Sequence, residues 1–465
     1  MNTARVLEFS ELENQDVVEQ VRAMAHKAVD QFVDDIAPKL QEKKKLTIHE
    51  LSQIFQEYKQ DFIGAMFQGF IKVLHHDVLS QEYAPCPNCG KTRKHLRIAS
   101  RGTETRHGPS QIHRPYFYCL PCGMGYAPAD HDLQLSASRK QHDLQDIALE
   151  FMAEMPFERA SQLFFKATGI SYSEGRMHDL LEDFGEQLTL EQVIPLGQDI
   201  EKRIDTLANG SKRRPVLMVA TDGALVPIRK PGKRNEKRGE NDYNEAKGFR
   251  IYLLKRDGIN HLASWHQVTD VETFKEGLKS VAARIPRDKV RVGLIGDGAS
   301  WLWKAMTEAF PNGREILDFY HCSQYIHALG PALYPNDSKK ALEWVEGTMT
   351  RLSFKGGVSQ VIGGLKRLKP RASNVKELIR KTITYLKNNK KRMDYRGARV
   401  GGYHIGSGAI ESANKFICHT RLKRNGAWWL QTNCNKMLKL RCAIWNGTYE
   451  SAFAKYAANE LAKRY

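Results

Sequence analysis

The chain has 465 residues, enough for about three domains at roughly 150 residues each. Hydrophobic residues make up 41% and charged residues 27%, a globular balance that excludes whole-chain disorder. Lys and Arg number 71 against 53 Asp and Glu, a net charge of +18 that calls for a polyanionic partner, of which nucleic acid is the commonest. No apolar run approaches the ~18 residues of a membrane-spanning helix, and the opening Met1-Asn-Thr-Ala-Arg-Val is too polar for a secretory signal. A cytoplasmic, nucleoid-associated protein with no membrane partner is expected.

Residues 13–80 are expected to be helical. Val18, Val21, Ala25, Val29, Phe32 and Ile36 recur at helical spacing, and Thr47-Ile-His-Glu50 is a capping box opening a second helix that carries Leu51, Phe55, Tyr58, Phe62, Met66 and Phe70. This segment (1–82) is either a hairpin covering the core or a dimerisation arm.

Cys86-Pro-Asn-Cys89 and Cys119-Leu-Pro-Cys122 are two knuckles separated by 29 residues. Each Cys-x-x-Cys turns two thiolates to one point, and two such turns complete a tetrahedral Zn²⁺ shell with no open position, hence a structural site. Gly90 and Gly123 permit the tight turns. His95–Ile98 and Ile112–Tyr118 are the expected strands of a zinc ribbon over 83–128. Two disulfides, disfavoured without export, and a redox dithiol are the alternatives. Residues 91–118 carry seven Lys and Arg against Glu104, which suits contact with phosphates. Cys322, Cys418, Cys434 and Cys442 lack metal-like spacing and are expected to be buried.

Residues 129–210 are expected to be helical. Helices meeting at Thr168-Gly169 and opening again at Ser171-Tyr-Ser-Glu174 follow a helix-turn-helix pattern. The last of them carries Glu174, Asp179, Glu182 and Asp183, which suits packing as well as it suits reading DNA.

Strands follow from 211. Pro215–Ala220 and Val290–Ile295 are apolar runs of the kind buried on both sheet faces. Phe249–Arg256 and His261–Val268 form a hairpin about Asp257-Gly258, and Arg314–Asp318 is a fifth strand. The polar loop 229–245 lacks apolar residues to bury. Residues 331–400 are expected to be a helical insertion, with thirteen Lys and Arg against two acids over 366–399, suited to tracking phosphates.

Two buried strands end in Thr221-Asp222-Gly223 and Gly296-Asp297-Gly298. Each places a carboxylate at a strand end, with a glycine leaving room for a phosphodiester. The third carboxylate is Glu411, the only acid from 395 to 449 amid nine Lys and Arg. It lies in a helix expected to be capped by Ser407, sharing a face with Asn414, Lys415 and Cys418; an ion pair with Lys415 is the alternative role. Three convergent carboxylates suit two Mg²⁺ (or Mn²⁺) ions about 3.5–4 Å apart. Without cations they repel, and one tends to protonate.

Gly406-Ser-Gly-Ala-Ile-Glu411-Ser-Ala-Asn-Lys415, Thr420-Arg-Leu-Lys423, Gly426-Ala-Trp-Trp429, the two Asp-Gly turns and Asp318-Phe-Tyr-His321 resemble bacterial insertion-sequence transposases of the DDE class, nearest the Kra-type group. The resemblance covers 212–450 and implies a ribonuclease-H-like α/β catalytic core with a helical insertion, divided between 211–330 and 401–465. It implies Asp222, Asp297 and Glu411 as the metal-binding catalytic triad, with Asp318 and His321 in support; a satisfied core histidine is the alternative for His321. Arg421, Lys423, Arg424, Trp428 and Trp429 suit DNA, by charge and by stacking on an unpaired base, with core packing of one Trp as the alternative. Trp301 and Trp303 are expected to pack at a helix start. The implied activity is Mg²⁺-dependent cleavage at the ends of the element and joining to target DNA, by at least a dimer acting on double-stranded DNA. The alternatives are a non-catalytic zinc-ribbon DNA-binding protein and a nuclease without strand transfer.

Overall fold

The computed structural model describes residues 15–42, 45–230 and 242–463. Most of the polar loop (231–241) and the first residues of the expected N-terminal helix lie outside that range. The chain divides into two units, one of residues 1–181 with 453–465 and the other of residues 182–452. No helix of the described residues is long and apolar enough to cross a membrane.

The first unit opens with α1 (Gln15–Gln41) and α2 (Ile48–Leu74). The capping box is formed: Thr47 Oγ1 accepts from Glu50 N at 3.2 Å and the Glu50 carboxylate accepts from Thr47 N at 2.9 Å. Phe32 joins the helices, with ring centroids 5.3 Å from Phe55 and 4.7 Å from Phe62. A short α3 (His76–Leu79) leads to the ribbon: β1 (Tyr83–Pro85), β2 (Thr92–Lys94), β3 (Arg97–Thr105), β4 (Gly108–Cys119) and β5 (Met124–Tyr126). One Cys pair lies in the β1–β2 turn and the other in the β4–β5 turn. Gly90 and Gly123 adopt φ of 70° and 63°, the left-handed conformation those turns require. Then come α4 (Pro128–Asp132), α5 (His142–Glu154), α6 (Phe157–Thr168) and α7 (Glu174–Gln187). Gly169, at φ 75°, ends α6 where the sequence predicted a turn.

The second unit begins within α7, then runs through α8 (Leu190–Val193) and α9 (Gly197–Ala208) into a sheet. The sheet holds β6 (Val216–Ile228), β7 (Asp242–Lys255), β8 (Gly258–Val268), β9 (Arg291–Gly296) and β10 (Arg314–Leu317), ordered β10-β9-β6-β7-β8. β6, β7 and β8 are antiparallel neighbours, whereas β9 and β10 add in parallel on the other side of β6. Val216 to Thr221 are all buried, as a strand covered on both faces should be. α10 (Val271–Ala282) links β8 to β9, α11 (Ser300–Ala309) links β9 to its parallel neighbour β10, and α12 (Phe319–Leu333) follows β10. The chain then runs through α13 (Ser338–Leu352), α14 (Gly357–Arg367), α15 (Ser373–Asn389) and α16 (Tyr395–Val400).

The chain returns through α17 (Gly408–Ala413), a π-helical turn (Asn414–His419), α18 (Thr420–Leu422), α19 (Gln431–Asn446) and α20 (Tyr449–Ala462). α19 covers the edge strand β8 and substitutes for a sixth strand. Asn446 Oδ1 accepts from Ser264 N at 2.8 Å, and Asn435 Oδ1 from Val268 N at 2.9 Å. These bonds satisfy edge donors that would otherwise be open to another strand. Cys322, Cys418, Cys434 and Cys442 are fully buried, as their spacing suggested.

Candidate functional site

The parallel strands carry acids at their C-terminal ends. Asp297 follows β9 and Asp318 follows β10, while Asp222 lies midway along β6, beyond its pairing with β9 and opposite Gly248 of β7. Asp297 is held by its own turn: Oδ1 accepts from Ala299 N at 2.8 Å, and its carbonyl accepts from Trp303 Nε1 at 2.9 Å. Trp301 and Trp303 thus sit in the first turn of α11, as expected of packing residues.

Glu411 arrives on α17, which three bonds lace to the sheet. Arg250 Nη1, from β7, donates to Ala409 O at 2.7 Å. Ser407 Oγ lies 2.5 Å from Asp318 Oδ2 and 2.8 Å from Glu411 Oε1, so one hydroxyl proton is shared by two carboxyl groups. Asn414 Nδ2 donates to Asp222 Oδ2 at 2.8 Å, and its Oδ1 faces His266 Nε2 at 2.9 Å. A carboxylate only accepts, which fixes the Asn414 amide with its nitrogen toward Asp222, and His266 therefore carries its proton on Nε2.

The charges respond to this crowding. Burial pushes Asp222 up to about 6; the Gly223 N–H opposes the rise, and the Asp297, Glu411 and Glu245 carboxylates add to it. His266 is wholly buried, and desolvation brings it down to about 4 despite its bond to Asn414, so it is neutral. Glu245 is thus a fourth acid near Asp222, restrained by an ion pair of 3.1 Å with Lys247.

Several expectations need correction. The glycines beside Asp222 and Asp297 do not leave open space. A Cβ on Gly298 would come 2.7 Å from the Tyr385 ring of α15, and one on Gly223 would strike the Glu245 carboxylate. Ser407 occupies the N-cap position of α17, but its hydroxyl makes no cap bond and serves Asp318 and Glu411 instead. The helix does not run on regularly past Glu411: Asn414–His419 is a π-turn, which swings Asn414 toward Asp222. Glu411 forms no ion pair with Lys415 among the described residues. His321, in the first turn of α12, is partly exposed, and its side chain makes no hydrogen bond among the described residues.

Arg421 and Trp429 are buried against each other, with the guanidinium 4.8 Å from the ring centroid. Trp429 bridges in parallel to Ile228 beside the end of β6, its N donating to Pro227 O at 3.1 Å and its O accepting from Arg229 N at 2.8 Å. Lys423 and Arg424 are exposed, and Trp428 is half-buried beside Tyr243 at 5.7 Å.

The acids and the thiols differ in closeness. Among the described residues, one group of three or more potential ligands has its ligand atoms within 4.8 Å of one another: Cys86, Cys89, Cys119 and Cys122. Cys89 and Cys119 Sγ are 3.7 Å apart. Burial pushes Cys119 up, but the Cys122 N–H, Arg93 and the neighbouring thiols bring it down to about 6. Hydrogen bonding from the Lys91 backbone leads the lowering of Cys89. Four thiols so placed fit Zn²⁺, which takes thiolates. Asp222, Asp297 and Glu411 share a field without closing to that distance.

Asn414, His266, Arg250 and Glu245 were not singled out as functional from the sequence. Gly248 was the available signal for His266: it lies across from it mid-strand, where a Cβ would collide with the imidazole, and a glycine inside a strand marks such an approach.

A family model described as Uncharacterised protein family (UPF0236) matches residues 184–456. No curated protein matches the chain. Among solved structures, a chain of the "Drosophila P element transposase strand transfer complex" is similar over 67% of this chain and 81% of its own, at 11% identity and a TM-score of 0.25, an overlap too loose to bear on fold or activity.

Proposed function

The chain belongs to the uncharacterised protein family UPF0236, and we propose that its second unit is the ribonuclease-H-like core of a DDE transposase of the Kra-type group. The observation that carries this reading is the lacing of the Glu411 helix to the acid-bearing strands, through Asn414–Asp222 and Ser407–Asp318. Residues on either side of the insertion thereby act on one another. The raised Asp222 carboxyl is consistent with the same reading: burial leads the rise, and the Asp297 and Glu411 carboxylates add to it. α13–α16 lie between β10 and Glu411, where the proposed core would carry its helical insertion.

The donor set of Asp222, Asp297 and Glu411 is hard carboxylate oxygen, which fits Mg²⁺ or Mn²⁺. Two such ions, when bound, would activate the attacking water or 3′-hydroxyl and stabilise the leaving oxygen. The chain's own part is to aim the carboxylates: Asn414 holds Asp222, the Asp297 turn is closed by Ala299 and Trp303, and Ser407 joins Glu411 to Asp318. The substrates are the double-stranded ends of the element and target DNA, handled by at least a dimer. Zn²⁺ on the four cysteines braces a DNA-contacting ribbon, and Lys423, Arg424 and Trp428 are the exposed or half-exposed DNA contacts near the core.

A second reading is favoured by the acids' not closing to within 4.8 Å: a zinc-ribbon DNA-binding protein without catalysis. End cleavage and strand transfer in Mg²⁺, assayed with Asp222→Asn, Asp297→Asn and Glu411→Gln, separate the two. The transposase reading expects each variant to lose both reactions. Cutting by all three variants at the parent's rate would remove the assignment, and a parent that binds element ends but neither cuts nor joins them would establish the second reading.

A further inference from the structure

The N-terminal ends of β6, β9 and β10, opposite the carboxylates, frame a cavity of about 410 Å³ walled by Arg214, Arg287, Arg291 and Arg314. The ring of Tyr403 forms its floor, with the Arg291 guanidinium 5.7 Å and the Arg314 guanidinium 5.6 Å from the ring centroid. Tyr403 is set tightly: a Cβ on Gly293 would come within 2.7 Å of it and one on Gly401 within 2.8 Å. The backbone therefore admits the ring only because both positions are glycine.

The four cations are poorly neutralised. Arg314 pairs with Asp394 at 2.7 Å. Among the described residues, Arg214, Arg287 and Arg291 meet no carboxylate; they donate to backbone carbonyls instead. Arg291 takes Arg214 O at 2.9 Å and Gly401 O at 2.7 Å, Arg214 takes Asp288 O at 3.0 Å, and Arg287 takes Ala309 O at 2.8 Å. Each guanidinium has five N–H donors, so donors remain on every one. Carbonyl anchoring fixes the side chains and leaves their charge in place, an arrangement suited to a tetrahedral oxyanion gripped by more than one fork.

We propose that this cavity binds the phosphodiester backbone of a nucleic-acid strand, at a site separate from the carboxylates. The cavity borders the basic insertion: Arg392 pairs with Glu315 of β10, Asp394 with Arg314, and Gly401 O holds Arg291. That continuity with thirteen Lys and Arg over 366–399 favours an extended polyanion over a free phosphate. Arg214 and Arg287 are exposed at the rim, open to a strand lying across it. The site does not depend on whether Asp222, Asp297 and Glu411 are catalytic.

The test is the salt dependence of binding of a labelled DNA duplex to the full chain, by fluorescence anisotropy. Two double variants are compared, Arg291→Gln with Arg314→Gln, and Arg214→Gln with Arg287→Gln; the second removes only rim side chains, and thermal unfolding checks both for folding. The slope of log affinity against log salt should fall by about 0.9 for each phosphate that the variant no longer neutralises. An unchanged slope in folded variants would overturn the proposal. So would calorimetric binding of inorganic phosphate that the variants abolish while the DNA slope stays parental, because the cavity would then serve a small anion.

Discussion

Asn414 joins Asp222 to His266: its amide nitrogen donates to the carboxylate at 2.8 Å and its oxygen accepts from the imidazole at 2.9 Å. In the transposase reading Asn414 positions Asp222, and its loss should cost about 10–100-fold in Mg²⁺ affinity or Mg²⁺-dependent cleavage, the usual effect of removing the partner of a metal-binding carboxylate. Asn414→Asp should differ from Asn414→Ala in kind. A second carboxyl beside Asp222 raises the Asp222 pKa further, so the acidic limb of the pH–rate profile should move upward. Identical profiles in the two variants would leave Asn414 as packing alone.

His266 sets an acid limit on the fold. Its folded pKa of about 4 lies below the ordinary 6.5, so its contribution to stability is complete above pH 6.5 and lost as pH falls toward 4. The full loss is up to about 3 kcal/mol. Denaturant unfolding of His266→Gln across this window should show a flatter acid limb than the parent; parallel curves would exclude the imidazole as its source.

Asp222 titrates in the opposite sense. Its folded pKa of about 6 exceeds the ordinary 3.8, so stability is greatest below pH 3.8 and declines as pH rises through 6. Asp222→Asn should therefore raise the stability of metal-free protein near pH 7.5, by roughly 1–2 kcal/mol after solvent screening, and leave it unchanged near pH 4. Mg²⁺ should stabilise the parent more than the variant, measured as a shift in Tm.

Zinc content offers a direct check on the ribbon. Purified protein should contain one Zn²⁺ per chain, and Cys119→Ser should lose it along with hydrogen-exchange protection from Tyr83 to Tyr126. Full protection in the metal-free protein would mean that the cluster around Phe117 and Tyr126 suffices without a metal.

The ribbon, the capped α2, the Asp257-Gly258 hairpin and the buried strands were legible in the sequence, because each rests on a local rule: a turn, a cap or a period of two or 3.6. The acids could be named by the same means: Asp297 stands at a strand end and Glu411 alone in a basic stretch, whereas Asp222, expected at a strand end, lies inside β6, which runs on antiparallel to β7. How they are held could not. Asn414 and Asp222 are 192 residues apart, and no local pattern announces a bond of that span. Likewise, a glycine beside an acid signals only that a side chain is missing. Packing alone decided that Tyr385 and Glu245 fill the space at Gly298 and Gly223, that Trp429 bridges to the end of β6 instead of facing solvent, and that four arginines spread from 214 to 314 line one cavity. Short-range sterics and hydrophobic periodicity set the elements; long-range burial and hydrogen-bond satisfaction determined which charges became neighbours.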